Sequence, residues 1–257
     1  MKLFRRKELR AIWGDNELMS RQYRHIWDHD PILRNFYAFL WQWALHDNTE
    51  SPVVELGGGA GFIRSVYPDI ISTDVLSFPE SDLQCDATQL PFKRNSVGCF
   101  AAVAFFHHCT RPASFFRETF DALKPGGRLV IIDPYITCLS RIVYRYATDE
   151  DLDLTESPLD NEGMHCDNNP LLDANVARAT IIFMQQKERF EALFPGFHIE
   201  TIEHRNLFAH IPAGSCVQRL PLFAPILYRP ARVLDDLLHP LRHWTGMVMR
   251  VVLVKEH

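Results

Sequence analysis

The 257-residue chain is predicted to fold as an α/β protein, with helices on both faces of a doubly wound parallel sheet. Three observations carry that expectation. Short apolar runs alternate with segments of helical period, as βαβ units require. The runs, Gly98–Phe106 above all, lack the in–out alternation of a half-solvated strand, which suits strands covered on both faces. A glycine cluster, Gly57-Gly58-Gly59-Ala60-Gly61, follows the first run directly, where an open α/β sheet receives its ligand.

The elements follow in order. Over 17–45, Leu18, Tyr23, Ile26, Trp27, Ile32, Phe36, Phe39, Leu40 and Trp43 recur at spacings of three and four, which predicts helix. Pro31 suits a helix start and not an interior, so it divides the segment in two. Val53–Leu56 is the first strand, with a short helix after the glycines. Ile70–Val75 is the second strand, and a third short element leads to Cys85-Asp86-Ala87. Gly98–Phe106 is a buried strand, Ala113–Leu123 a helix, Lys124–Gly127 a turn and Arg128–Asp133 a further strand. The rhythm then breaks. Residues 134–173, acidic and turn-rich in their second part, read as an insertion or lid. A helix from Ala174 to Leu193, a strand His198–Asn206 and a last strand Gly246–Lys255 complete the chain. Inside a second insertion, 207–245, the stripe Val233, Leu234, Leu237, Leu238, Leu241 and Trp244 reads first as a cap packed on the sheet. With Arg232 and Arg242 it reads alternatively as a membrane or partner surface, though four prolines from Pro221 to Pro240 favour a rigid wall.

Apolar residues make up 47% and charged residues 23%, which excludes a disordered or fibrous chain. A net charge of -5 argues against a nucleic-acid binder, despite Lys2, Arg5, Arg6, Lys7 and Arg10 at the start. The six cysteines have no paired spacing and read as free thiols of a reducing compartment. The first residues lack the apolar core of a secretory signal, so a cytoplasmic location is expected. His165-Cys166-Asp167 are adjacent and cannot easily converge on one ion, so no metal is expected. Oligomeric state is not readable.

The glycine cluster carries the chemistry. Without Cβ atoms the backbone turns tightly and approaches a ligand closely. Its spacing differs from the GxGxxG of pyrophosphate-binding dehydrogenases. Asp74, at the end of the second strand, can accept both hydroxyls of a ribose or simply be a solvated strand end. Asp86 can accept from an adenine amino group or close a turn.

Together, Val53-Val54-Glu55-Leu56-Gly57-Gly58-Gly59-Ala60-Gly61, Asp74, Asp86-Ala87 with Leu90-Pro91-Phe92, His107-His108 and Leu123-Lys124-Pro125-Gly126-Gly127-Arg128-Leu129 resemble the class I S-adenosylmethionine-dependent methyltransferases, the small-molecule group in particular. The match covers about residues 53–133. It departs in Phe106, where the family has Leu, and in Gly98, where the family has an acid before the fourth strand. The resemblance implies a Rossmann-like, seven-stranded, mostly parallel sheet whose last strand is antiparallel. It implies one domain, with a helical cap over 1–50, a cofactor-binding half over 51–133, and a C-terminal half over 174–257. It also implies S-adenosylmethionine as cofactor, with Glu55, Gly57, Gly59 and Gly61 near the methionine moiety, Asp74 and Val75 at the ribose, Asp86 and Ala87 at the adenine, and Ala104 and Phe105 lining the site.

In methyl transfer a protein mainly aligns a nucleophile with the sulfonium methyl and excludes water. A hydroxyl acceptor must also lose its proton. His107 and His108, ending the strand that faces the site, are the candidate bases, although the family carries such a pair for packing as well. Tyr23 and Trp27 either cap the cofactor or pack in the core. The expected acceptor is small or medium-sized, lipid- or sugar-linked forms included, and methylated at oxygen. The competing reading is a non-catalytic methyltransferase-like subunit acting through a partner surface at 219–244.

Overall fold

The computed structural model describes residues 15–147, 150–160, 174–209 and 224–256. Asp15 starts helix α1 (Asn16–His29) by accepting the Leu18 amide at 2.9 Å. Asp30 does the same for α2 (Pro31–Leu45), taking the amides of Ile32 and Leu33 at 3.0 Å each, with Pro31 at the first helical position. The division at Pro31 is as expected.

Seven strands form one sheet: β1 (Val53–Leu56), β2 (Ile71–Asp74), β3 (Leu83–Gln84), β4 (Val97–Val103), β5 (Leu123–Pro134), β6 (Phe197–Arg205) and β7 (Val248–Lys255). Their order is β3-β2-β1-β4-β5-β7-β6. β7 runs antiparallel to both β5 and β6, and the other pairings are parallel. Strand order reverses between β1 and β4, which opens a crevice at their carboxyl ends.

Both faces of the sheet are covered. On one, helix α3 (Pro112–Ala122) sets Phe115 and Phe116 against Phe100, Ile131 and Val251. On the other, α2 sets Phe36, Leu40 and Trp41 against Ala101, Val130 and Val252. All seven residues of β4 are buried, as its unbroken apolar run requires. β7 also carries a buried charge. Arg250, 1% exposed, donates to the Ala44 carbonyl at the end of α2 and pairs with Asp47. Its Nη1 lies 3.5 Å from Glu203, which also accepts from Trp43 Nε1 at 2.8 Å. Two acids and a helix C-terminus together offset the desolvation of the guanidinium.

Several boundaries differ from expectation. The fourth strand stops at Val103, because Ala104 turns left-handed (φ 52°) and Phe106–His108 wind into a 3₁₀ turn. Lys124–Gly127 forms a bulge inside β5, between the pairs Val97–Leu123 and Cys99–Arg128, with Gly126 at φ 77°. The helix expected from Ala174 begins at Arg178. It loosens into a π-turn at Ile181–Gln185 before α5 (Lys187–Leu193). After the glycines the chain makes one 3₁₀ turn, Phe62–Ser65. In the expected insertion, β5 runs on to Pro134 and α4 (Cys138–Ala147) follows.

The apolar stripe is not a packed cap. It lies on α6 (Ala224–Leu237) and the two short turns after it, where Val233, Leu237 and Trp244 are 58%, 71% and 64% exposed. Leu234 and Leu241 are exposed as well, and only Leu238 is half-buried. The basic start of the chain, His165–Asp167 and 219–223 lie outside the described residues.

Candidate cofactor and acceptor site

β1 delivers the chain to the crevice, and the glycine loop turns there on its backbone alone. Gly57 and Gly59 have φ of 70° and 54°, the left-handed region that side chains resist. The Gly58 amide donates to Thr73 O at 2.9 Å, which ties the loop to β2. The Gly59 amide donates to Asp74 Oδ2 and the Leu76 amide to Asp74 Oδ1, both at 2.8 Å. Asp74 is 9% exposed. Burial pushes its carboxyl up, while the amides of Leu76, Gly59 and Val75 oppose that shift.

Glu55 lies beneath this loop, against Gly58. Its Oε2 accepts from Ser72 Oγ at 2.8 Å, and burial pushes its carboxyl up to about 7, opposed by Ser72 and reinforced by Asp74. Above Gly59 there is room: a Cβ there would meet only the Tyr23 ring, at 3.8 Å. Tyr23 stacks on Phe78, whereas Trp27 stacks on Phe62 at 4.4 Å and belongs to the core. On the other side, a Cβ at Gly57 would stand 2.1 Å from Phe105 Cδ2. The end of β4 is therefore pressed against the glycine loop, with Ala104 and Phe105 half-buried at the contact.

Asp86 makes a turn. Its Oδ1 accepts from Thr88 N and Oγ1 at 2.7 and 2.8 Å, and Arg111 Nη2 pairs with its Oδ2 at 2.9 Å. Ala87 is buried in the core, and Val75 is 39% exposed. Cys85, next to Asp86, donates its amide to Asp74 O at 2.9 Å, so the two acidic positions share one strand end.

Beyond Phe105 the chain turns into a polar cluster. Phe106 is fully buried against Phe115 and Phe116, which anchors the turn. His107 Nδ1 lies 2.8 Å from Asp133 Oδ1 at the end of β5, and its Nε2 lies 3.6 Å from Glu150 Oε1. His108 Nε2 lies 3.9 Å from the same oxygen. Burial would lower His107, but the Asp133 and Glu150 carboxylates outweigh it and push it up to about 10. The His107 carbonyl accepts from the Asn175 amide at 2.9 Å and from Arg178 Nη1 at 2.7 Å, and Arg178 Nε pairs with Glu156 at 3.0 Å.

The structure thus gathers Glu55 of β1 and Asp74 of β2 around the loop of Gly57, Gly59 and Gly61, with Ala104 and Phe105 against it and His107 and His108 on the next turn. Asp86 is held by Arg111 instead of standing open. Sequence reading missed Asp133, Glu150, Asn175, Arg111 and Arg178. Asp133 had a signal, an acid closing the apolar run Leu129–Ile132. Arg178, set among Val176, Ala177, Ala179 and Ile181, had another. Glu150 had none.

The loop fits an adenosyl ligand on two counts. The space above Gly59 is free of protein atoms closer than Tyr23, and a buried carboxylate stands beside it with two amides already fixing its orientation. In neither respect does the crevice call for a pyrophosphate.

Comparison with known proteins agrees with this geometry. A family model described as a methyltransferase domain matches residues 55–131. The 2-methoxy-6-polyprenyl-1,4-benzoquinol methylases, mitochondrial, of Caenorhabditis elegans and Dictyostelium discoideum are 40% identical over 48 residues and 35% identical over 51. Those stretches are 19% and 20% of this chain, and only 17% and 16% of the relatives. Among solved structures, a SAM dependent methyltransferase from Archaeoglobus fulgidus superposes with a TM-score of 0.51 at 14% identity, covering 86% of this chain and 94% of that one. A putative sarcosine dimethylglycine methyltransferase from Galdieria sulphuraria does so with a TM-score of 0.50 at 13% identity, covering 93% and 98%. Residues 55–131 thus match a methyltransferase domain, and the fold of the chain is that of the class I S-adenosylmethionine-dependent methyltransferases.

Proposed function

We propose that this chain transfers the methyl group of S-adenosylmethionine to a hydroxyl of a small or medium-sized acceptor, lipid-linked acceptors included. The observation that carries the reading is the contact of Phe105 with Gly57. It puts the glycine loop and the His107–His108 turn side by side at one end of the sheet.

When bound, the cofactor supplies an activated, electrophilic methyl group. The chain does the rest. Asp74 keeps lone pairs on both oxygens for the ribose hydroxyls, since each oxygen takes one amide. Val75 flanks it. Glu55 carries the loop from beneath, and Gly57, Gly59 and Gly61 let the methionine portion lie on bare backbone. Asp86 fixes the turn of Ala87 and keeps one lone pair on Oδ2 for the adenine amino group. Ala104 and Phe105 exclude water, His107, held charged between Asp133 and Glu150, fixes the turn, and His108 receives the proton of the acceptor hydroxyl.

The lipid-linked option draws on the names of the two relatives, polyprenyl benzoquinol methylases, and on the exposed apolar residues of α6 beside Arg229. Among the described residues no helix is long and apolar enough to cross a membrane. Free thiols at Cys85, Cys99, Cys109 and Cys138 suit a reducing compartment such as the cytoplasm.

The test is calorimetry with S-adenosylhomocysteine and transfer of labelled methyl to a panel of phenols, quinols and sugar hydroxyls. Binding with transfer to at least one hydroxyl is the expected result. Absence of binding by the folded protein overturns the reading. The exposed face Ile226, Leu237, Leu241 and Trp244 favours one other reading, a non-catalytic subunit docking a partner through 219–244. Cofactor binding without transfer, together with co-elution of a partner, would select it.

A further inference from the structure

His107, His108 and Glu150 offer a chemistry beyond the removal of a proton. We infer that these three side chains form a divalent-cation site of the zinc type at the acceptor end of the sheet. One nitrogen from each imidazole and one carboxylate oxygen lie within 4.8 Å of one another. Glu150 Oε1 is 3.6 Å from His107 Nε2 and 3.9 Å from His108 Nε2. Donor atoms bonded at about 2.1 Å to one tetrahedral zinc stand about 3.4 Å apart. The two Glu150 distances exceed that separation by only a few tenths of an ångström, a shift that the partly exposed carboxylate can supply.

A second observation is independent of that spacing. His107 Nδ1 lies 2.8 Å from the fully buried Asp133 Oδ1, which turns Nε2 toward the cluster, where a bound ion would take the place of its proton. A metal-binding histidine is oriented in this way by its outer carboxylate. The other Asp133 oxygen, Oδ2, is buried without a hydrogen-bond partner, leaving its charge for the imidazole beside it and whatever that imidazole holds. The turn is rigid as well, since its His107 carbonyl is clamped by Asn175 and Arg178.

Two imidazoles and one carboxylate select zinc over magnesium or calcium, which prefer all-oxygen sites. Three protein ligands leave at least one position open. For an acceptor oxygen in that position the ion, as a Lewis acid, makes the proton easier to lose. The two imidazoles then serve as ligands, and His108 no longer as a base. Only this last consequence rests on the methyl-transfer reading, because metal uptake is measured with neither cofactor nor acceptor present.

The experiment is equilibrium dialysis of the chelator-treated full chain against zinc, with the metal counted by atomic absorption and the melting temperature followed in parallel. The expected result is one zinc per chain, with zinc raising the melting temperature. His108→Ala and Glu150→Gln, both at partly exposed positions, should each weaken uptake about tenfold or more while remaining folded by circular dichroism. His25→Ala is the control, since the exposed His25–His29 pair, ring centroids 4.3 Å apart, also presents two imidazoles. Substoichiometric zinc on the wild type, uptake unchanged in His108→Ala and Glu150→Gln, or uptake lost in His25→Ala would each overturn the proposal.

Discussion

The glycine loop after β1 and the histidine turn after β4 stand at the same end of the same sheet and are built in opposite ways. The loop is made of backbone. Its hydrogen bonds run from Gly58 and Gly59 amides to Thr73 and Asp74, and its geometry depends on missing side chains. The turn is made of buried charge. Asp133, His107, Glu150, Arg178 and Glu156 come from five places along the chain and hold one another. A backbone site costs little to bury and tolerates change around it. A charged site is a network in which each member leaves another uncompensated when removed.

That contrast sets the expected size of each perturbation. Asp133→Ala should be the most damaging, with about 4 kcal/mol of unfolding free energy lost in urea titration, because it strands His107 in the core. A loss under about 1 kcal/mol would mean that the turn is no network. Gly57→Ala comes next, at about 3 kcal/mol, from a left-handed backbone and a Cβ driven into Phe105. A neutral result in thermal melts would show that the loop does not need its bare backbone.

Glu55 adds a pH signature of similar size. Its carboxyl is raised from 4.5 to about 7 by burial, so the folded chain holds a proton that the unfolded chain has released. The associated stability is complete below pH 4.5 and is lost as pH rises through about 7, about 3 kcal/mol in all. Urea titrations across that window should show the decline in the wild type and a flatter profile in Glu55→Gln. Asp74→Asn should spare the fold and weaken S-adenosylhomocysteine by about 2 kcal/mol in calorimetry, the share of charge-assisted hydrogen bonds at one carboxylate. The smallest effect belongs to α6. Leu237→Asn, at a residue 71% exposed, should change stability by less than about 0.5 kcal/mol. A packed leucine there would cost several times more, so chemical denaturation decides between cap and surface.

The same contrast explains what was legible beforehand. The sheet was readable because strands buried on both faces are unbroken apolar runs, as in Val97–Val103, and because Gly57, Gly59 and Gly61 are a pattern within five residues. Asp74 was readable as the acid that ends such a strand. The histidine turn was half readable. His107-His108 stand out as a pair, but Glu150 reaches them from beyond α4, and no local rule connects positions 107 and 150. Asp86 closes a turn on Thr88, one of its two sequence readings, while the Arg111 contact to its other oxygen, from twenty-five residues on, follows from no local rule. The stripe on α6 was misread because helical spacing records amphipathicity and does not say which neighbour, if any, lies against the apolar side.

The position of β7 bears on how the chain comes off the ribosome. Of the strands of this sheet β7 is the last to be made, yet it enters between β5 and β6 and brings Arg250 to Ala44, 206 residues earlier. Until residues 248–255 emerge, β5 ends in an open edge, β6 has nothing to pair with, and the carbonyl that closes α2 lacks its guanidinium. Synthesis can therefore shape the glycine loop early but cannot close the sheet, and the nascent chain must be shielded from edge-to-edge association until its final strand is threaded home.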